Sequence, residues 1–122
     1  MIINQNISEK ALLTRYAAGE REFRNVEIHR GESCLLEGVN LDGIMLIDCF
    51  LASSLRDASL RFARVHANVK TCDFTGADLT GADFRGSALC ATTFKNAKMD
   101  GAKFAGAYFH GCDLAEGEQP DW

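Results

Sequence analysis

Proline is nearly absent from this chain, and so are long apolar runs. Its 122 residues include one proline, Pro120, and no stretch rich in serine and glycine that would indicate an interdomain linker. The first ten residues contain no apolar run of the length that a signal peptide or a membrane span requires. These absences predict a single domain that resides in the cytoplasm and has no membrane partner.

A basic surplus is also missing. The formal net charge is −4, and residues 1–70 carry nine acidic and nine basic side chains, whereas residues 71–122 carry eight and four. A modest, C-terminal acidic surplus argues against nucleic acid and anionic lipid as partners. Five cysteines, an odd number in a chain with no predicted signal peptide, argue against a disulfide framework.

A period of five residues runs through the second half of the chain, beginning in CDFTGADLTGADF, residues 72–84. Every fifth residue is large and apolar, and a small residue stands two positions before each one. We call the apolar residues centres. They are Phe74, Leu79, Phe84, Leu89, Phe94, Met99, Phe104, Phe109 and Leu114. Neither an α-helix nor a flat strand has a period of five.

The spacing within each unit predicts how the backbone runs. Residues two apart point to the same side of an extended segment, so each centre and its small partner should face the interior. Glycine often stands two positions after a centre, as at Gly76, Gly81 and Gly86, and glycine readily turns a corner. Four short faces joined by corners make a square coil. The sequence therefore predicts an all-β fold, a quadrilateral parallel β-helix built of stacked coils.

The pattern extends toward the N-terminus with less regularity. The steps from Leu51 to Leu55 and from Val65 to Val69 are four residues instead of five. Ile28 is a candidate for an earlier centre, and the register between Ile28 and the next centre stays open. The centres of this part are Leu36, Leu41, Leu46, Leu51, Leu55, Leu60, Val65 and Val69.

Units such as ADLTG, ADFRG and AKFAG resemble the repeat of the pentapeptide repeat family, A-(D/N)-L-x-x. The resemblance covers roughly residues 26–115 and implies a right-handed quadrilateral β-helix. ALLTRYAAGEREF, residues 11–23, is similar to the lead-in of many cyanobacterial pentapeptide repeat proteins. The chain then divides into a capping helix with its lead-in (1–25), the β-helix (26–115) and a C-terminal tail (116–122).

The ends of such a coil need a cover, because they present unpaired strand groups and an open core. Ser8 can N-cap a short helix that runs to about Ala18, with Gly19 as its stop, and we expect this helix to cover the N-terminal end. At the other end, either Trp122 folds back over the last coil or two chains stack end to end, as in dimers that the family contains. Tyr108, facing outward on the last complete coil, and Trp122 are the candidate dimer contacts.

No grouping of residues that would support catalysis is visible. The sequence shows no Ser/His/Asp set, phosphate loop or paired carboxylates, and a filled β-helix offers no natural pocket. Cys90 is the candidate for an exposed thiol, but with His110 it would supply only two metal ligands. We predict no catalytic residue, no cofactor and no metal. The remaining cysteines take the small inward position and should pack like larger alanines: Cys34, Cys49, Cys72 and Cys112.

Two kinds of interaction surface remain. Some pentapeptide repeat proteins that act on DNA gyrase carry an acidic rod thought to imitate DNA. Here such a surface would be formed by Asp73, Asp78, Asp83 and Asp113. Basic residues one coil away, such as Lys98 beside Asp78, should neutralise much of it. A DNA mimic directed at gyrase is therefore the alternative function.

Outward apolar residues favour a different surface. Met45 and Ile47 flank one centre, Phe50 precedes the next, and Phe62 stands where a corner glycine is expected. Clustered exposed apolar side chains often mark an interaction site, unless the segment 20–33 buries them or the register is shifted. The sequence thus predicts a non-catalytic module that binds an unidentified protein through these four residues.

Overall fold

The computed structural model describes residues 2–31 and 34–109 and the backbone of 112–113. Parallel pairing of short strands and isolated bridges winds the chain into a right-handed β-helix of square cross-section, as the repeat predicts. The elements are β1 (Ile2–Ile3), β2 (Asn6–Ser8), α1 (Glu9–Ala17), β3 (Glu22–Arg24), β4 (Glu27–His29), β5 (Met45–Leu51), β6 (Arg64–Asn68), β7 (Tyr108–Phe109) and β8 (Cys112–Asp113). The final pair, β7 and β8, is antiparallel.

Four columns of apolar centres line the interior and define the four faces. Face 1 is built on Ile2, Phe23, Leu46, Val65, Phe84 and Phe104. Face 2 is built on Ile7, Ile28, Leu51, Val69, Leu89 and Phe109. Face 3 is built on Leu36, Leu55, Phe74 and Phe94, and face 4 on Leu41, Leu60, Leu79 and Met99. All are buried except Met99, which is partly buried. The predicted register is confirmed from Leu36 to Phe109, including both four-residue steps.

The core changes character along the axis, from aliphatic to aromatic. Phe74 stacks on Phe94 with ring centroids 5.1 Å apart, and Phe84 stacks on Phe104 at 5.3 Å. The two stacks meet edge to face, with 5.7 Å between Phe74 and Phe84. Both arrangements are favourable for aromatic rings, so the C-terminal turns gain contacts between rings, whereas Phe23 is the one aromatic centre among the aliphatic centres of the described N-terminal turns.

Each five-residue step turns its corner through one residue in the left-handed conformation. This residue stands two positions after the centre, as at Gly81, whose φ is 68°. The centre's carbonyl then accepts a hydrogen bond from the residue three positions on, as Leu79 does from Ala82 at 2.9 Å. The geometry is that of a type II turn, whose third residue requires a positive φ and favours glycine. Other residues at this position include Asn25, Asp57 and Thr71, all with a positive φ.

The two four-residue steps omit the left-handed residue. Between Val65 and Val69 the turn bond is replaced by Ser87 of the next turn, whose hydroxyl donates to the Val65 carbonyl and accepts from Ala67 N at 3.1 Å.

Between Leu51 and Leu55, the thiol of Cys72 has the same role. Its Sγ donates to the Leu51 carbonyl at 3.1 Å and lies 3.5 Å from the N–H of Ser53. A hydroxyl or thiol in the small position thus satisfies backbone groups that a shortened corner leaves free.

The N-terminal helix forms as expected. The Ser8 side chain accepts a hydrogen bond from Ala11 N at 3.0 Å, and Gly19 follows the last turn with φ 103°. Leu12 is fully buried, and the Tyr16 hydroxyl donates to the Asp42 carbonyl at 2.7 Å, so α1 packs on the solenoid. The described residues contain no helix with the length and apolarity needed to cross a bilayer.

Strands β1 and β2 precede this helix and were not predicted. β1 pairs with β3, and β2 pairs with β4, both in parallel, so residues 2–8 already contribute faces 1 and 2 of a first turn. The helix follows in sequence where faces 3 and 4 of that turn would stand. The regular β-helix pairing therefore starts at the beginning of the described chain, ahead of residue 26.

The prediction that Cys34 faces inward is wrong, because Cys34 is exposed. A residue two positions before a centre shares its direction only in an extended segment. Here Glu37 N donates to the Cys34 carbonyl at 3.2 Å, which closes a turn around Leu36. Cys49 and Cys72 are buried as predicted, and the side chain of Cys112 lies outside the described residues.

Replacing Ser87 tests the role of the bridging side chain. Ser87→Ala should lower the free energy of unfolding by about 2 kcal/mol, because a buried N–H and a buried carbonyl lose their partner. Ser87→Cys should recover most of this loss, since Cys72 makes the equivalent bridge at the other short step. Urea unfolding followed by circular dichroism measures both variants. Equal destabilisation by alanine and cysteine would contradict the bridging role.

Candidate interaction surface

The four residues predicted to form one patch differ in exposure. Phe50 is 43% exposed and Phe62 is 64% exposed, whereas Met45 and Ile47 are half-buried. Met45 and Ile47 lie on face 1, where their strand is paired on both sides, with β3 and with β6. Phe50 is also paired on both sides, with Glu27 and Asn68, and nevertheless stays open to solvent.

Phe50 and Tyr108 lie on the same face, although the sequence analysis assigned them to different surfaces. Parallel bridges link Phe50 to Asn68, Asn68 to Ala88, and Ala88 to Tyr108 along the outside of face 2. Neighbouring rungs are about 4.8 Å apart, so the two aromatic residues are separated by roughly 14 Å along the axis. Tyr108 is 43% exposed. Trp122, the other candidate dimer contact, lies outside the described residues.

Phe62 belongs to a different edge of the solenoid. It occupies the left-handed corner between faces 4 and 1 with φ 60°, so face 1 separates it from Phe50. Glycines occupy the same corner in the turns before and after it, Gly43 and Gly81. A Cβ on Gly81 would lie 2.5 Å from the Phe62 ring, so this ring rests against the bare backbone of the next turn. Phenylalanine in this conformation is unusual and strained.

An open groove runs beside Phe50 at the corner between faces 1 and 2. Asn4, Asn25 and Asp48 stack there with φ values of 55°, 51° and 54°, and Asn25 Nδ2 donates to Asn4 Oδ1 at 2.8 Å. With Glu27 and Phe50 they line a groove of about 280 Å³.

In the next turn, the four-residue step from Val65 to Val69 leaves a notch beside this groove, further along the axis toward the C-terminal turns. The column of left-handed residues is interrupted after Asp48, because the step from Val65 to Val69 has none, and it resumes at Gly86. The resulting space, about 360 Å³, is lined by Asp48, His66, Asn68 and Gly86, among others. Asp48 borders both the groove and the notch, so the two form one axial depression.

The other four-residue step produces a second notch, at the corner between faces 2 and 3. It measures about 260 Å³, and its lining includes two basic residues, Arg30 and Arg56, and two acidic ones, Glu37 and Asp73. Arg56 pairs with Asp73 at 3.4 Å. Charges therefore balance in this notch, in contrast to the first.

The aspartates of the repeat serve the turns that follow them. Oδ1 of Asp73, Asp78 and Asp83 accepts the backbone N–H two residues on, at 2.9, 3.1 and 3.0 Å. Such local bonds are the reason that Asp and Asn favour turns, and they explain the D/N position of the unit.

The same carboxylates are held ionised by neighbours. Hydrogen bonds from the Arg85 side chain hold the pKa of Asp83 well below its usual value, and a hydrogen bond from the Thr80 hydroxyl lowers the pKa of Asp78. Burial acts to raise the pKa of Asp73, but hydrogen bonds from Thr75 and the charge of Arg56 outweigh it, so this pKa is lowered too.

Basic groups also neutralise this acidic row. Arg56 pairs with Asp73, Arg61 lies 3.8 Å from Asp78, and Arg85 lies 2.7 Å from Asp83. The predicted stacking of Lys98 beside Asp78 is confirmed.

In the described part of the chain, the two buried cysteines offer no readily ionised thiol, and no cysteine belongs to a set of metal ligands. Burial raises the pKa of Cys72 to about 12 and also raises that of Cys49, so both remain thiols. Cys90 is half-buried, and His110 lies outside the described residues. Among residues 2–31 and 34–109 no three His, Cys, Asp or Glu side chains come together in a metal-binding arrangement.

A filled square solenoid with small corners and stacked turns defines a β-helical repeat protein. A family model described as pentapeptide repeats matches residues 53–96 and 77–115, with eight copies, and so spans just over half of the chain. The chain belongs to the pentapeptide repeat family. A comparison with curated protein sequences finds no match.

Solved structures of pentapeptide repeat proteins from cyanobacteria are similar to this chain. One from Nostoc PCC 7120 is 29% identical, with 93% of this chain and 89% of that chain covered and a TM-score of 0.42. HetL from the same strain, described as involved in heterocyst differentiation regulation, is 25% identical; 82% of this chain is covered but only 46% of HetL, with a TM-score of 0.47. Rfr23 from Cyanothece 51142 is 15% identical over 88% and 84% of the two chains, with a TM-score of 0.34.

Phe62 should be replaceable by glycine without loss of stability. Phe62→Gly should raise the free energy of unfolding by about 1 kcal/mol, because glycine adopts a positive φ without the strain that a phenylalanine side chain imposes. Asp57→Gly, at another left-handed corner, is the control and should gain less, since aspartate tolerates this conformation better. Thermal unfolding compares the two. A clear loss of stability in Phe62→Gly would show that its ring stabilises the fold.

Protonation of Asp83 should weaken the fold at acid pH. Its pKa is lower in the folded chain than in the unfolded one, so its contribution is complete above the unfolded value, near pH 4, and is lost as the pH falls further. Asp83→Asn should be about 1 kcal/mol less stable at pH 7, and the difference should shrink toward pH 2.

Asp100→Asn, at an exposed aspartate, is the matched control. Urea midpoints at several pH values measure both variants. A constant difference between Asp83→Asn and the natural chain across the pH range would contradict the role of this carboxylate.

Proposed function

We propose that this pentapeptide repeat protein is a non-catalytic interaction module that binds another protein through face 2. The observation that supports the proposal is the exposure of Phe50 and Tyr108 in one column on the outside of that face. The chain buries its other phenylalanines, apart from Phe62, in a well-packed core. Large exposed aromatic side chains are typical anchors of protein interfaces.

Face 2 also suits an interface in its shape. The groove and the notch run along one edge of the aromatic column, so the surface combines apolar anchors with polar backbone and side-chain groups. Interfaces commonly have this composition, with an apolar centre and a polar rim. Met45 and Ile47, on face 1, are half-buried and would contribute to the edge of such an interface.

DNA mimicry directed at gyrase has less support from the charges of this chain. The carboxylates of Asp73, Asp78 and Asp83 are engaged by turn hydrogen bonds and by arginines. A DNA mimic needs uncompensated negative charge along its length. A homodimer through the C-terminal coil stays a separate prediction, for which Tyr108 would serve as a contact.

Affinity capture tests the interaction module. The chain and its Phe50→Asp variant are immobilised and exposed to a lysate of the organism that encodes it, and bound proteins are identified by mass spectrometry. Leu35→Asp is the matched control, because Leu35 is 40% exposed and precedes a centre of face 3. We expect proteins that are retained by the natural chain and by Leu35→Asp and lost with Phe50→Asp.

Tyr108→Asp should lose the same proteins, because it lies in the same column. Circular dichroism verifies that each variant is folded. Identical sets of proteins on all baits would show that face 2 is not the binding surface.

A further inference from the structure

The carboxylates beside Phe50 differ from the aspartates of the repeat, Asp73, Asp78 and Asp83, each of which pairs with an arginine. Asp48 has no ion-pair partner among the described residues, and Glu27 has only His29, at 4.0 Å. Both side chains are exposed, and both line the groove at the corner between faces 1 and 2. The groove is therefore acidic, and the exposed ring of Phe50 lines it as well.

Several acidic residues elsewhere have local hydrogen-bond or ion-pair partners. Asp42 accepts hydrogen bonds from the Ser59 hydroxyl and from Arg61 N, and Glu22 pairs with Arg24. The second notch holds two arginines against two acids. The basic residue of face 2, Lys70, stands directly after a centre, Val69. The groove instead borders Phe50, which stands directly before a centre. The negative charge near Phe50 is thus a local feature of one groove.

The shape of the depression suits an extended chain lying along the solenoid axis. It continues from the groove past Asp48 into the notch, where the shortened step removes the corner residue. Phe50 lines the groove, and Tyr108 lies on the outside of face 2 one rung beyond Ala88, which lines the notch. The two aromatic residues are separated by roughly 14 Å, which an extended peptide spans with about four residues. Side chains four apart in an extended peptide point the same way, so two of them can meet the two aromatic residues.

We propose that this depression binds an extended segment of a partner protein that carries lysine or arginine two positions from an apolar residue, so that both side chains point the same way. A second apolar residue stands four positions from the first. The basic side chain lies against Glu27 and Asp48, and the apolar side chains lie on Phe50 and Tyr108. This inference deepens the proposed function, because it rests on face 2 as the binding surface and names the chemistry of the segment that it recognises.

A peptide display library tests this recognition. Random peptides of about twelve residues, long enough to span the depression, are selected on the immobilised full chain. The expected consensus has a basic residue two positions from an apolar one, with a second apolar residue four positions from the first. The most enriched peptide is then synthesised with a fluorescent label, and its dissociation constant is measured for the chain and its variants.

Two double variants that change the net charge by the same amount distinguish an effect of the groove carboxylates from an effect of the net charge of the protein. Glu27→Gln with Asp48→Asn should weaken binding about tenfold, as expected for two exposed ion pairs. Asp57→Asn with Asp100→Asn, at exposed positions on the opposite side of the solenoid, should change it less than about twofold. High salt should weaken binding to the natural chain but have little effect on the groove variant, because salt screens exposed charges.

The other outcomes distinguish this inference from the proposed function. The selection could instead enrich apolar peptides that have no basic residue and do not bind the Phe50→Asp variant. This result would overturn the recognition of a basic side chain and leave face 2 as the interaction surface. Equal effects of the two double variants would also overturn it, because binding would then follow net charge alone. Peptides unaffected by Phe50→Asp would overturn both the inference and the choice of face 2. Failure to enrich any peptide would overturn the inference, while affinity capture would still decide the proposed function.

Discussion

The left-handed residue at each five-residue corner is the constraint on which the rest of this structure depends. It turns the chain so that a short face ends and the next begins, which places centres and small residues inside and leaves two flanking residues outside. Glycine is favoured there because it has no Cβ to oppose a positive φ. The stacking of turns, the aromatic core and the columns of outward side chains all follow from the regularity of this corner.

The sequence was sufficient to predict the register of most of the solenoid, since a centre such as Leu60 is recognised by its spacing, its apolar character and the small residue two positions before it. It was misleading at Cys34, where a turn replaces an extended face, and it did not indicate β1 and β2, whose faces precede the recognisable repeat. The shared column of Phe50 and Tyr108 also needed coordinates. Their alignment depends on how four- and five-residue steps add up over three turns.

The outward-facing side chains of this solenoid fall into two groups, those that stabilise the fold itself and those that are available to contact another molecule. The aspartate or asparagine before a centre caps its own turn, and arginines of a neighbouring turn or of the same turn pair with it, as Arg61 does with Asp78. Such side chains are part of the fold although they lie on the surface. Among the described residues, the exposed ring of Phe50 has no comparable role and no arginine pairs with Glu27 or Asp48, although the backbone of Asp48 forms a left-handed corner. This contrast makes face 2 distinctive.

The shortened corners also have a consequence for how such a protein can change over time. Removing one corner residue opens a notch, and a serine or cysteine in the small position of the next turn repairs the backbone, as Ser87 and Cys72 do. Deletion of one corner residue, together with a change to serine or cysteine about twenty residues downstream, can therefore produce a cleft at another edge of the solenoid. The apolar interior stays filled. In proteins that share this fold, few mutations are needed to form a new surface. Insertions and deletions at corners can change the edge on which a binding cleft lies, without changes in the core.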